Sequence, residues 1–315
     1  MSRPVFPFVV GCERSGTTLL RLMLDAHPQL AVPPESYFIV DLWRRRSRYA
    51  RIDGTIEPEP FRRDLQRHRW FRHWDVPEET LEVALDRPAR FADAIRRLYA
   101  AYARLHGKPR YGDKTPAYVQ HVRLLADLLP EARFLHLIRD GREVALSLAE
   151  VPWGPGNVLD AAIHWAERVE RGRRSGPVLG HERYREVRYE RLVADPEREL
   201  EAVAGFFDLG FDRSMLRHAE RSRVRVPRPG SEHERSTAEP RPGARDWRRE
   251  MAPEDLEAVE AAVGNLLDDM GYERAVPDPP PEARRRAGAA RRRRERRHRW
   301  RRIKARSPLR FLTRR

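Results

Sequence analysis

The stretch Val5-Phe6-Pro7-Phe8-Val9-Val10-Gly11-Cys12-Glu13-Arg14-Ser15-Gly16-Thr17-Thr18-Leu19-Leu20 decides the fold. Its apolar run predicts a buried strand over Phe6–Val10. Gly11 and Gly16 bracket a turn, and the spacing of the next apolar residues predicts a helix over Thr17–Asp25. Backbone N–H groups of such a turn converge on one point, where the helix dipole adds partial positive charge. That geometry holds a phosphate. The G-x-x-x-x-G spacing is that of a nucleotide-binding loop, but Thr17 stands where the lysine of an ATP- or GTP-hydrolysing loop is needed. The basic residue comes earlier, as Arg14.

A second strand-turn-helix lies at Arg133-Phe134-Leu135-His136-Leu137-Ile138-Arg139-Asp140-Gly141-Arg142-Glu143-Val144-Ala145-Leu146-Ser147. Phe134–Ile138 has strand length, Arg-Asp-Gly ends it, and Glu143–Glu150 reads as a helix. Arg139 therefore falls at the carboxyl end of a strand, where open α/β sheets bind ligands. Ser147 lies two turns into the helix; taken alone, an Arg-Asp-Gly turn after a strand is common as a structural feature.

Arg14–Leu20, together with Met23-Leu24-Asp25-Ala26-His27-Pro28, closely resembles the donor-binding segment of sulfotransferases that use PAPS (3′-phosphoadenosine 5′-phosphosulfate). The wording is closest to the branch of the tyrosylprotein sulfotransferases and their bacterial relatives. The resemblance spans residues 5–273 in islands and leaves Trp43–Pro109 without a recognised motif. It implies a P-loop-type, three-layer α/β fold with a central parallel sheet flanked by helices, and PAPS as co-substrate. Arg14, Ser15, Gly16, Thr17 and Thr18 are then expected at the 5′-phosphosulfate, and Arg139 and Ser147 at the 3′-phosphate. Lys114, in Tyr111-Gly112-Asp113-Lys114-Thr115-Pro116, corresponds to a lysine that the family places on the transferring group. Tyr189, in Glu186-Val187-Arg188-Tyr189-Glu190-Arg191-Leu192, would lie on the adenine side. Arg235-Ser236-Thr237 and Pro242-Gly243-Ala244-Arg245-Asp246-Trp247 resemble the two ends of a segment closing over the donor, which adds Ser236 and Arg245. Glu35, in Pro33-Pro34-Glu35-Ser36, aligns with the branch's catalytic base, while cytosolic members use a histidine, for which His121 or His136 would be the candidates.

The expected organisation is a domain over 1–275 with a helical insertion at about 36–110 and a donor-side loop at about 221–250. Residues 276–315 then form a Pro-rich linker and an Arg-rich tail. Helices are expected over 36–50, 61–74, Phe91–His106, Ala117–Leu129, Val158–Arg173, Pro196–Phe207, Asp212–Glu220 and Glu254–Met270. The segment Ala31–Glu35 is expected to return to the sheet edge. The aromatic insertion is the candidate acceptor pocket, or an ordinary helical cap over the sheet.

Composition sharpens this. One cysteine, Cys12, excludes an internal disulfide, and no His/Cys/Asp set has metal-ligand spacing, so no metal is expected. The amino terminus shows no leader pattern and no apolar run is long enough to span a bilayer, which points to a cytoplasmic enzyme. The net charge of +15 is concentrated in the tail. Ala283–Arg315 holds 17 Arg and Lys against Glu295 alone, which is +16 and leaves −1 for the rest. Three readings of the tail stay open: a solvated arm, docking on an anionic membrane, or nonspecific nucleic-acid binding. For the whole chain, a kinase-like phosphotransferase and a binding protein with a degenerate donor site are the alternatives to sulfuryl transfer. The acceptor, a carbohydrate, a glycolipid or a small alcohol or phenol, is not legible.

Overall fold

The structure, a computed structural model, describes residues 3–217 and 245–306. Contacts divide the chain into two units, Met1–Arg139 with Arg168–Pro242, and Asp140–Glu167 with Gly243–Arg315.

The first unit is built on a parallel sheet. β1 (Phe6–Gly11) is buried throughout; β2 is Leu30–Ala31, β3 Arg110–Tyr111, β4 Asp113–Lys114, β5 Ala132–Ile138 and β6 Tyr184–Arg188. The main sheet has the order β4-β1-β5-β6, every pair parallel. Side chains alternate across it. Phe6, Phe8, Val10 and Phe134 join one core, while Val9, Leu135, Leu137 and Val187 join another. Both faces are covered, as a parallel sheet requires. Leu19, Leu20, Met23 and Leu24 of the helix Thr17–Ala26 cover the second face. The aromatic insertion covers the first, with Phe38, Phe61, Phe71, Trp74, Phe91 and Tyr99 all buried. Burying each such ring contributes about 1.5–3 kcal/mol, and edge contacts such as Trp74 on Tyr99, 4.8 Å apart, orient the rings.

Several elements depart from the sequence reading. β2 pairs with β3 in a separate two-stranded sheet, so the segment after residue 30 does not return to the main sheet edge. The expected helix 36–50 is a helix Phe38–Arg44 followed by a 3-10 turn Arg46–Arg48. That expected over 61–74 is Pro58–Arg67, where Pro58 opens the first turn, and a 3-10 turn Phe71–Trp74. Extended backbone at His68 separates the two. His121 likewise divides 117–129 into the 3-10 turn Pro116–Gln120 and the helix Val122–Leu128. The expected helix Asp212–Glu220 reduces to the 3-10 turn Arg213–Met215 within the described residues. Helices Phe91–Leu105, Val158–Arg173 and Pro196–Phe206 fall where periodicity places them.

The second unit holds helices Gly141–Ala149, Trp247–Glu250, Pro253–Asp269 and Pro281–Arg306. The loop expected over 221–250 lies outside the described residues as far as 244, and Trp247–Glu250 is already helical. Buried Arg142 ties this unit together. It pairs with Asp140 at 2.8 Å and Glu260 at 2.6 Å, donates to the Glu273 carbonyl at 2.9 Å, and lies 3.6 Å over the Trp247 ring. Glu260 also accepts from the backbone of Ala275 and Val276. A side chain at Gly141 would meet Trp165 at 2.5 Å, so that turn needs glycine. The proline-rich run 277–281 separates two helices, and Pro281 opens the second. This last helix is anchored by Ala283, Ala287 and Ala290, so at least its first half is not a solvated arm.

Candidate active site

The loop after β1 is built by two left-handed residues, Arg14 at φ 71° and Gly16 at φ 91°. The Ser15 amide closes a turn on the Cys12 carbonyl at 3.2 Å. Gly16 is the helix cap and supplies no side-chain acceptor, so the leading amides of Thr17–Ala26 lack a side-chain cap. The Ser15 hydroxyl is buried without a hydrogen-bond partner among the described residues. A buried hydroxyl beside uncapped amides, next to Arg14, is a cradle suited to an anion.

Gly16 is required for a second reason. A Cβ there would lie 2.4 Å from the Tyr189 ring. On this same ring the Arg139 guanidinium sits 4.4 Å from the centroid. Tyr189, at the start of the helix Tyr189–Ala194 just past β6, thus links the loop to Arg139 at the carboxyl end of β5. The two strand–turn–helix motifs, far apart in the chain, meet across one aromatic side chain.

The third component is on β4. Lys114 Nζ donates to Glu35 Oε1 at 2.7 Å and to Thr18 Oγ1 at 3.4 Å. Register brings Lys114 opposite Val9, near the carboxyl end of β1. Burial pushes the Lys114 ammonium below its ordinary value, and the Glu35 charge offsets this only in part. A buried polar network locks the pair. The Ser36 amide donates to Thr115 Oγ1 at 2.9 Å, and Ser36 Oγ lies 3.1 Å from the same oxygen and donates to Tyr118 at 2.9 Å. Asp113 accepts from Tyr99 at 2.6 Å and from Thr115 at 3.3 Å, and burial raises its carboxyl to about 6. Neighbours of Glu35 and of Lys114 are therefore stitched to each other. The carboxylate and the ammonium are held in register by this network.

Sequence reading missed Tyr37. Its backbone has φ 47°, a costly conformation for an aromatic residue. Its ring stacks 4.5 Å from Trp70, and its hydroxyl lies within the electrostatic influence of the Glu35 carboxylate. Burial, ahead of the charges on Glu35 and Glu13, pushes that hydroxyl above its ordinary value.

The remaining candidates lie elsewhere. His136 is a core side chain bonded to the Tyr184 hydroxyl at 2.6 Å, and burial lowers its imidazole to about 3. Burial and then Arg44, Arg168 and Arg171 hold half-buried His121 down at about 4. Ser147 and Arg245 belong to the second unit. Ser147 is buried on the helix Gly141–Ala149, and the Arg245 guanidinium is engaged by Glu150 and, at 3.3 Å, by Glu250. Ser236 lies outside the described residues.

Comparison with known proteins gives this arrangement its context. The nodulation protein NoeE of Sinorhizobium fredii is 28% identical to the chain, over 88% of this chain and 69% of that protein. The protein-tyrosine sulfotransferase of Drosophila melanogaster is 26% identical over 85% of this chain, which spans only about half (49%) of the fly protein. Among solved structures, the sulfotransferase domain of a Synechococcus olefin synthase has the same fold, with a TM-score of 0.59 at 23% identity over 87% of this chain and 97% of that domain. The sulfotransferase domain from the curacin biosynthetic pathway is similar, with a TM-score of 0.56 at 20% identity over 87% of this chain and 99% of that one. The pattern described as the sulfotransferase family matches residues 7–213, from β1 through the Tyr189 helix, and the chain belongs to that family.

Proposed function

We propose that the chain moves the sulfuryl group of PAPS to an acceptor hydroxyl, with Glu35 as the base. One observation carries this reading. Lys114, Glu35 and Thr18 converge within hydrogen-bond distance, 2.7 and 3.4 Å, beside the uncapped loop. The residues fit a donor bearing two anionic ends. Arg14, the buried Ser15 hydroxyl and the amides of the next turn suit one, and Arg139 on Tyr189 suits the other. When bound, the donor supplies a sulfuryl group on a phosphate leaving oxygen.

The chain's own work is acid–base and electrostatic. Glu35 accepts the proton of the acceptor hydroxyl as that oxygen bonds to sulfur. The sulfur–oxygen bond to phosphate breaks in the same displacement, and its electrons stay with the leaving oxygen. Neutralising Glu35 removes the partner of Lys114, so the buried ammonium turns to the new negative charge. Thr18 steadies that ammonium in both states. The acceptor is a carbohydrate, a glycolipid or a small alcohol or phenol entering beside Tyr37 and Trp70.

The test is formation of adenosine 3′,5′-bisphosphate from PAPS with an acceptor panel, on the wild type and on Glu35→Gln. The variant should bind PAPS normally by calorimetry and lose at least about 100-fold in turnover. Turnover within about threefold of wild type would remove Glu35 as base. Absence of PAPS binding by the wild type would remove the donor assignment.

A further inference from the structure

We propose that the C-terminal helix docks the enzyme on an anionic lipid surface through one ridge of arginines, Arg285, Arg292, Arg296 and Arg299. The helix Pro281–Arg306 has two faces that the sequence alone does not separate. Its inner face carries buried Ala283, Ala287 and Ala290, and the arginines bordering that face are held by the unit's own acceptors. Arg286 pairs with Asp255 at 3.0 Å, Arg293 with Asp160 at 3.6 Å and Arg294 with Glu167 at 2.7 Å, while Arg291 donates to the Ala262 carbonyl. These arginines are structural.

Arg284 pairs with Asp278, and Arg297 lies about 100° or more round the helix from Arg285, Arg292, Arg296 and Arg299, which form the ridge. At about 100° per residue, positions 285, 292, 296 and 299 fall within about 60° of one another and point away from the alanine face. All four are exposed, and none has an ion pair or hydrogen bond among the described residues. Glu295 is the only acid between Arg284 and Arg306. The ridge is thus a single-sign row about 21 Å long at 1.5 Å per residue.

Two features favour a lipid surface over a nucleic acid. Along the helix the gaps of seven, four and three residues correspond to about 10, 6 and 4.5 Å, which matches no fixed repeat. Headgroups in a fluid leaflet move to meet irregular charges, whereas the phosphates of a duplex are spaced regularly. Trp300, 61% exposed, flanks the ridge one turn past Arg296, and tryptophan favours the headgroup level of a membrane. No apolar stripe accompanies the arginines, because the small-residue side of the helix is already packed; docking is electrostatic adsorption without deep insertion. Docking of this kind does not depend on the donor assignment.

The experiment is flotation of the full chain with phosphatidylcholine vesicles, with and without about 30 mol % phosphatidylserine. The ridge variant combines Arg285→Gln, Arg292→Gln, Arg296→Gln and Arg299→Gln. A charge-matched control carries Arg72→Gln, Arg87→Gln, Arg90→Gln and Arg104→Gln. At about fivefold per arginine, the ridge variant should lose at least about 100-fold in partitioning to the anionic vesicles, and the control less than about threefold. Wild-type binding should fall steeply with salt. Equal losses in both variants, or equal binding to neutral vesicles, would overturn the ridge. No flotation, with tight ridge-dependent binding to a short DNA duplex instead, would reassign the surface to nucleic acid. Circular dichroism and an unchanged melting temperature establish that both variants are folded.

Discussion

Arg142 in the second unit and Lys114 in the first are both buried cations, yet their surroundings differ in one decisive respect. Arg142 is saturated, with two carboxylates, a backbone carbonyl and the face of Trp247. Burial works against its charge, but Asp140 and Glu260 outweigh it and hold the guanidinium above its ordinary value. Lys114 has one carboxylate and one hydroxyl in hydrogen-bond reach among the described residues, and burial wins. The first cation has no reason to leave its partners. The second is poised to exchange its carboxylate for another anion, which is what a leaving oxygen would offer. On the proposed mechanism, saturation goes with a structural ion and under-saturation with a working one.

The largest expected effect tests the saturated side. Arg142→Met strands Asp140 and Glu260 and should cost about 3–5 kcal/mol in denaturant unfolding. A loss below about 1 kcal/mol would mean that the pairing is not what ties the second unit together.

Lys114→Met should behave in the opposite way. Turnover should fall about 100- to 1000-fold, in the manner of a lost transition-state donor, while thermal stability changes little. The linkage sign agrees. A lysine whose folded value is lowered binds fewer protons folded than unfolded, so wild-type stability rises with pH between that lowered value and 10.5. The variant should lose this rise. Lys114→Arg, which stays charged, should lose the alkaline limb of the rate profile that lysine imposes below pH 10.5.

Tyr37→Phe sharpens the comparison at the carboxylate. Losing the hydroxyl beside Glu35 should lower turnover about 3- to 10-fold, with PAPS affinity unchanged. Unchanged turnover with a lowered melting temperature would make Tyr37 a packing residue only.

Asp113 gives the smallest effect. Its carboxyl is raised from 3.8 to about 6, so the folded chain binds more protons in that window and stability falls as pH rises through it. Asp113→Asn should flatten that fall in melts between about pH 4 and 6. An unchanged slope would place the titration elsewhere.

Much of the site is legible in the sequence because its parts are local. A glycine-bracketed turn between an apolar run and a helix, and an Arg-Asp-Gly turn after another, are written in consecutive residues. Glu35 and Lys114 stand out in short motifs, but their 2.7 Å pairing depends on Ser36 meeting Thr115, 79 positions along the chain. Tyr37 leaves no signal, since a positive φ at an aromatic residue is imposed by packing against Trp70 and its neighbours. Arg245 is expected at the donor from its motif, and the structure shows its charge engaged by Glu150 and Glu250. The expected helices break at His68, in the insertion, and at His121, beyond it, and amphipathic spacing does not report such breaks.

By itself, then, the sequence determined the strand–turn–helix units and the polar side chains grouped at their turns, because backbone geometry and side-chain chemistry act over a few residues. Only the tertiary structure decided which cations are satisfied and which are left to act. Arg292 and Arg294 stand in the same run of four arginines. They are separated by the partners that folding brings from elsewhere in the chain, and a buried charge takes its properties from those partners.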